Sequence, residues 1–121
     1  MKRILFLTAG LLLMASAAWA HGTDKGPHGG VRVDTGNYHV EAVAKETSLS
    51  VYLYDENNNP VDAAGASAIG IFVVDGKSQR IELKPAGANR LAGTAAVSMP
   101  ATLKGAVQVS LPGGKNLQAK F

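Results

Sequence analysis

Alternation with a period of two runs through most of this chain, and no stretch carries a convincing helical period. Leu49, Val51 and Leu53 alternate with Ser50, Tyr52 and Tyr54. Tyr38, Val40, Ala42 and Ala44 share one face of their segment, with His39 and Glu41 on the other. Ile81 and Leu83 alternate with Arg80, Glu82 and Lys84, and Val107, Val109 and Leu111 with Gln108 and Ser110. Successive strand side chains point to opposite faces, so each segment reads as a strand with one face towards a core. Ile69, Ile71 and Val73 alternate with Gly70, Phe72 and Val74. That segment is apolar on both faces, which predicts a central strand. Val31 and Val33, the alanine-rich Asn89 to Val97, and Leu117 to Phe121 supply weaker strands.

Turn signals separate these segments: Thr35-Gly36-Asn37, Asp55 to Pro60 (DENNNP), Asp75-Gly76, Pro85-Ala86-Gly87 and Pro112-Gly113-Gly114. Asn, Asp, Gly and Pro each favour a reversal for a distinct backbone reason. About seven to eight short strands with such spacing predict an all-β, antiparallel, Ig-like β-sandwich.

Ahead of the pattern, Met1-Lys2-Arg3 gives a positive start, Ile4 to Ala18 is apolar and uncharged, and Ala18-Trp19-Ala20 is a small-x-small site. This is the form of a secretory signal peptide over residues 1–20. The apolar run is shorter than the roughly 20 residues of a membrane span, so no membrane insertion is expected after cleavage. The chain has no cysteine, which excludes a cysteine-linked lipid anchor. Cleavage after Ala20 would place the protein in the periplasm with His21 as its N-terminus. Residues 21–30 (HGTDKGPHGG) then read as a flexible or metal-ordered Gly/His arm, and residues 31–121 as one β-sandwich domain.

The formal net charge of +3 includes Lys2 and Arg3; without them 10 bases face 9 acids. That near balance offers no basic stripe for nucleic acid. Export permits disulfides, but there are no thiols to form them. Nor is there a nucleophile elbow, a phosphate-binding loop or a dinucleotide fingerprint. No set of nucleophile, base and orienting group stands out, and a non-enzymatic role is expected.

The histidines carry the chemistry. All three, His21, His28 and His39, fall within the first 19 residues after the cleavage site. A freed His21 offers an α-amino and an imidazole nitrogen that can close a chelate ring on a metal. The α-amino group loses its proton near pH 8, so metal competes with that proton near neutrality. The glycines around His28 allow the backbone to bring a second imidazole close. His39 and Glu41 project from one strand face, about 7 Å apart, and Asp24 is a further oxygen donor. Imidazole and amine nitrogens with carboxylate oxygen suit Cu(II) first, then Zn(II) or Ni(II). With no cysteine and Met99 as the one methionine beyond the signal, a sulfur-rich Cu(I) site is not expected.

Lys25-Gly26-Pro27-His28-Gly29-Gly30-Val31 followed by Gly36-Asn37-Tyr38-His39-Val40-Glu41-Ala42-Val43 resembles a pattern found in small secreted bacterial β-sandwich proteins associated with heavy-metal efflux. It is also similar to the N-terminal extension of periplasmic adaptor subunits of heavy-metal pumps of the resistance-nodulation-division type. Val51 to Asp55, Asn59 to Val61 and Leu83 to Gly87 continue the resemblance, which spans most of the chain beyond residue 20. The resemblance implies periplasmic handling of a transition metal, buffering it or passing it to an efflux adaptor. A looser similarity to small copper-carrier sandwiches bears on His21 by analogy alone. The competing expectation is a non-catalytic interaction module docking on an envelope or efflux partner, with incidental histidines.

Overall fold

A computed structural model describes residues 24–121. The expected signal peptide, its expected cleavage site and His21 lie outside the described residues. Nine strands follow one another: β1 (Asp24–Lys25), β2 (Val31–Thr35), β3 (Tyr38–Lys45), β4 (Ser48–Asp55), β5 (Ser67–Val74), β6 (Lys77–Pro85), β7 (Arg90–Thr94), β8 (Gly105–Ser110) and β9 (Asn116–Lys120). All pairings are antiparallel, in the order β1-β2-β3-β4-β7-β6-β5-β8-β9. The all-β, antiparallel expectation holds. The division into two sheets does not appear, because β6 pairs with β5 along most of its length and with β7 at Lys84 and Pro85. The hydrogen-bond ladder therefore turns a corner and continues, giving one curled sheet, a half-barrel.

The curl brings the second strand towards the last. The Thr35 hydroxyl donates to the carbonyl of Gln118 at 2.9 Å, and Lys115 of the β8–β9 turn sits 4.8 Å over the Tyr38 ring. The concave face holds a single apolar core. Val40, Leu49, Val51, Leu53, Phe72, Leu91 and Val107 are fully buried there, as the alternation of β3, β4 and β8 requires.

β5 is an interior strand, as its apolar pattern predicts. It lies between β6 and β8, and Gly70, Phe72 and Val74 face the core. Its other apolar face is open: Ile71 and Val73 are 47% and 50% exposed. Being apolar on both faces did not require being covered on both.

The DENNNP turn is built on Asp55. Its carboxylate accepts the backbone N–H groups of Asn57 and Asn59, each at 2.9 Å. The Asn59 bond first, and the Asn57 bond with it, hold the Asp55 carboxyl below its ordinary value. A carboxyl depressed in the folded state stabilises the fold above the ordinary carboxylate range, and that contribution is lost as pH falls through the lowered value. Asp55→Asn keeps an acceptor oxygen but cannot ionise. Thermal melts taken from neutral to acid pH are expected to fall less steeply for this variant than for the parent.

Candidate functional site

The Gly/His segment, expected as a flexible or metal-ordered arm, forms paired strands from Asp24 onward. β1 and β2 form a hairpin closed by a Gly26 N–H to Gly30 carbonyl bond of 2.8 Å and a Gly29 N–H to Gly26 carbonyl bond of 3.0 Å. Pro27 takes the position in this turn where its fixed φ is favoured. Gly29 follows with φ of 79°, the left-handed residue that three-residue hairpin loops require. The sequence GPHGG is thus the chemistry of one particular turn.

This turn folds over the convex face of the sheet and lands on Glu41. Glu41 Oε2 accepts the backbone N–H of His28 at 2.9 Å and of Gly30 at 3.0 Å. Glu41 Oε1 lies 2.8 Å from Nδ1 of His28. A Cβ on Gly26 would fall on the Glu41 carboxylate, so only glycine allows the chain so close. The outcome is a fully buried carboxylate on the face expected to be open to solvent. The alternation placed Glu41 on the correct face; the loop that covers it was invisible to that pattern. Arg32 stands directly opposite Glu41 in register on β2, with no ion pair between them among the described residues and the Arg32 Nε buried without a hydrogen-bond partner.

The His28 ring is held on two sides. It stacks on Tyr52 with centroids 3.6 Å apart and planes 8° from parallel. Tyr54 places its hydroxyl oxygen 3.2 Å from Nδ1. Burial first, and the neighbouring Glu41 charge in addition, push the Tyr54 hydroxyl above its ordinary value against an opposing Asn89 hydrogen bond. Tyr54 accordingly stays protonated at neutral pH. Because a carboxylate only accepts, the hydrogen bond assigns the His28 proton to Nδ1. In the neutral ring the lone pair then falls on Nε2, on a side chain 41% exposed, with no hydrogen-bond partner among the described residues. A carboxylate that fixes the tautomer and leaves the distal nitrogen free is the usual support behind a metal-binding imidazole.

The other proposed ligands lie elsewhere. Glu41 is engaged by three donors and cannot also serve as an open ligand. His39 shares the convex face with Glu41 but pairs with Asp34 across β2, its Nδ1–H donating to Oδ1. Asp24 lines an open hollow of about 450 Å³ with Val31, Val43 and Leu103. Among the described residues no three His, Cys, Asp or Glu side chains converge on one point.

Asp34, Tyr52 and Tyr54 were not among the expected site residues. A signal for the tyrosines was present. The short connection Glu46-Thr47 sets Lys45 opposite Ser48, and counting back along the hairpin puts Glu41 opposite Tyr52 and His39 opposite Tyr54. Comparison with protein-family models, with curated proteins and with solved structures finds no match for this chain.

Proposed function

We propose that this chain is an exported, non-enzymatic metal-handling module. It takes a divalent transition ion, Cu(II) before Zn(II) or Ni(II), and buffers it or passes it to a periplasmic efflux adaptor. One observation carries the reading: His28 is stacked, tautomer-fixed by a buried carboxylate, and partly exposed with its Nε2 free. An imidazole prepared in this way loses little freedom on binding a cation. His21, three residues before the described chain begins, supplies the remaining nitrogens once cleavage frees its amine. Glu41 supports the site without touching the ion, and His39 with Asp34 forms a separate pair outside it.

Titration calorimetry tests this with protein recovered from the periplasm after its N-terminus has been determined. Cu(II), Ni(II) and Zn(II) are added to the parent, to His28→Ala and to a form extended before His21. Each change is expected to weaken the preferred ion by at least ~10-fold, the low end for loss of a supporting group, with His39→Ala near parent. Unchanged affinity in both the His28 variant and the extended form would remove the site and leave the interaction-module reading.

A further inference from the structure

The open face of β5 is more than a scatter of exposed carbons. Ile69, Ile71 and Val73 run in one row on the convex side, since their registers alternate with the buried Ala68, Gly70 and Phe72. Both edges of β5 are occupied, by β6 and by β8. An extended peptide cannot add to β5 as a new strand, and an occupant must lie on the face itself.

Cations flank this row. Arg80 stands directly opposite Ile71 on β6, and Ala106 opposite it on β8, with Lys120 beyond Ala106 on β9. The Lys104 carbonyl accepts the N–H of Val73 at 2.9 Å, which fixes its position beside the row. Of the acids nearby, Glu82 is bridged to Arg80 at 3.2 Å and Asp75 lies in the β5–β6 turn at the end of the row. The asymmetry extends along the chain. From Asp24 to Asp62 seven acids accompany three bases, whereas from Asp75 to Phe121 seven bases accompany two acids. A molecule close to neutral overall is therefore polarised, with its positive side carrying the aliphatic row.

We infer that this face makes peripheral contact with an anionic lipid surface. A second copy meeting the same face would set Arg80, Lys104 and Lys120 against their own counterparts, which like-charge repulsion opposes. The face is convex, so it offers no groove for a small molecule. A headgroup layer deforms around such a surface, accepts the aliphatic tips and neutralises cations whose stems lie along apolar surface. Among the described residues no helix is long and apolar enough to cross a membrane, and the contact is peripheral. It would hold a metal-handling protein beside the membrane in which a pump sits.

The test is flotation of the processed protein with vesicles of phosphatidylcholine alone and of phosphatidylcholine mixed with phosphatidylglycerol. Binding is expected only to the anionic vesicles. It should disappear in 1 M salt, roughly the concentration at which the screening length falls to 3 Å. Arg80→Gln combined with Lys120→Gln is expected to weaken partitioning roughly thirtyfold, from two surface charges removed. Ile71→Ser with Val73→Ser should weaken it further at unchanged charge. All four positions are exposed, and an unchanged circular dichroism spectrum confirms that the variants fold. Equal partitioning to neutral and anionic vesicles, or none to either, overturns the inference. So does sedimentation showing a dimer that the Ile71 and Val73 changes dissolve, since the row would then be covered by a second copy.

Discussion

Glu41→Ala is expected to lower the unfolding free energy by about 3 kcal/mol, although the residue lies outside the apolar core. The carboxylate is fully buried and serves two backbone N–H groups and one imidazole. Alanine leaves all three donors without their acceptor under a loop shaped around it. Hydrogen bonds to a charged group contribute about 1.5–3 kcal/mol each, but water can enter once the loop lifts, so the losses do not sum in full. Glu41→Gln is expected to lie between parent and alanine: one amide oxygen still accepts, while the amide NH₂ faces donors. Urea denaturation gives the magnitude, and hydrogen exchange at the His28 and Gly30 amides locates it. A change below about 0.5 kcal/mol, the size typical of surface substitutions, would mean the carboxylate does not hold the loop. If His28 binds a metal, Glu41→Ala should also weaken that binding by about 10–100-fold, the usual cost of losing a group that orients a ligand.

Phe72→Ala is expected to cost about 3–5 kcal/mol, from lost apolar burial and an unfilled cavity. The ring is fully buried. Gly70, two residues earlier on the same face, has no side chain to move into the vacancy, and a Cβ there would meet the Phe72 ring. Phe121 approaches with ring centroids 6.0 Å apart, but it is a partly buried side chain near the open end of the sheet. Refilling is therefore poor, and the upper half of the range applies. Denaturation should show a lower midpoint at an unchanged slope, with metal titration unaffected because the convex-face site is separate from this core. A loss below about 1.5 kcal/mol would show that neighbours collapse into the space.

Several features of the fold could be read directly from the residues. Leu49, Val51 and Leu53, and likewise Val40 and Ala42, are buried where alternation placed them, because a period of two leaves one face for the core. The Asp75-Gly76 hairpin and the DENNNP turn fall where Asn, Asp and Gly can adopt the required backbone. What the residues leave open has one cause: a sequence pattern reports the two faces of a strand, but not what lies above them. Glu41 was on the expected face and is buried because a turn from β1–β2 covers it. Ile71 and Val73 are apolar and exposed because nothing among the described residues covers them. The composition of the GPHGG segment predicts a flexible or metal-ordered arm, and its glycines allow a tight turn and the close approach at Glu41. The corner at β6 and β7 was equally hidden, since two register pairs distinguish one curled sheet from two facing ones.

The bond from Thr35 to Gln118 links positions 83 residues apart. A chain emerging N-terminus first can form its early hairpins at once, but the contact of β2 with β9 waits for the last of the nine described strands. The loop-closure entropy of that meeting comes due late, which favours folding in milliseconds to seconds over microseconds. Removing β9 would leave β8 as a raw edge and β2 without its companion, so the curled sheet closes only once β9 is in place.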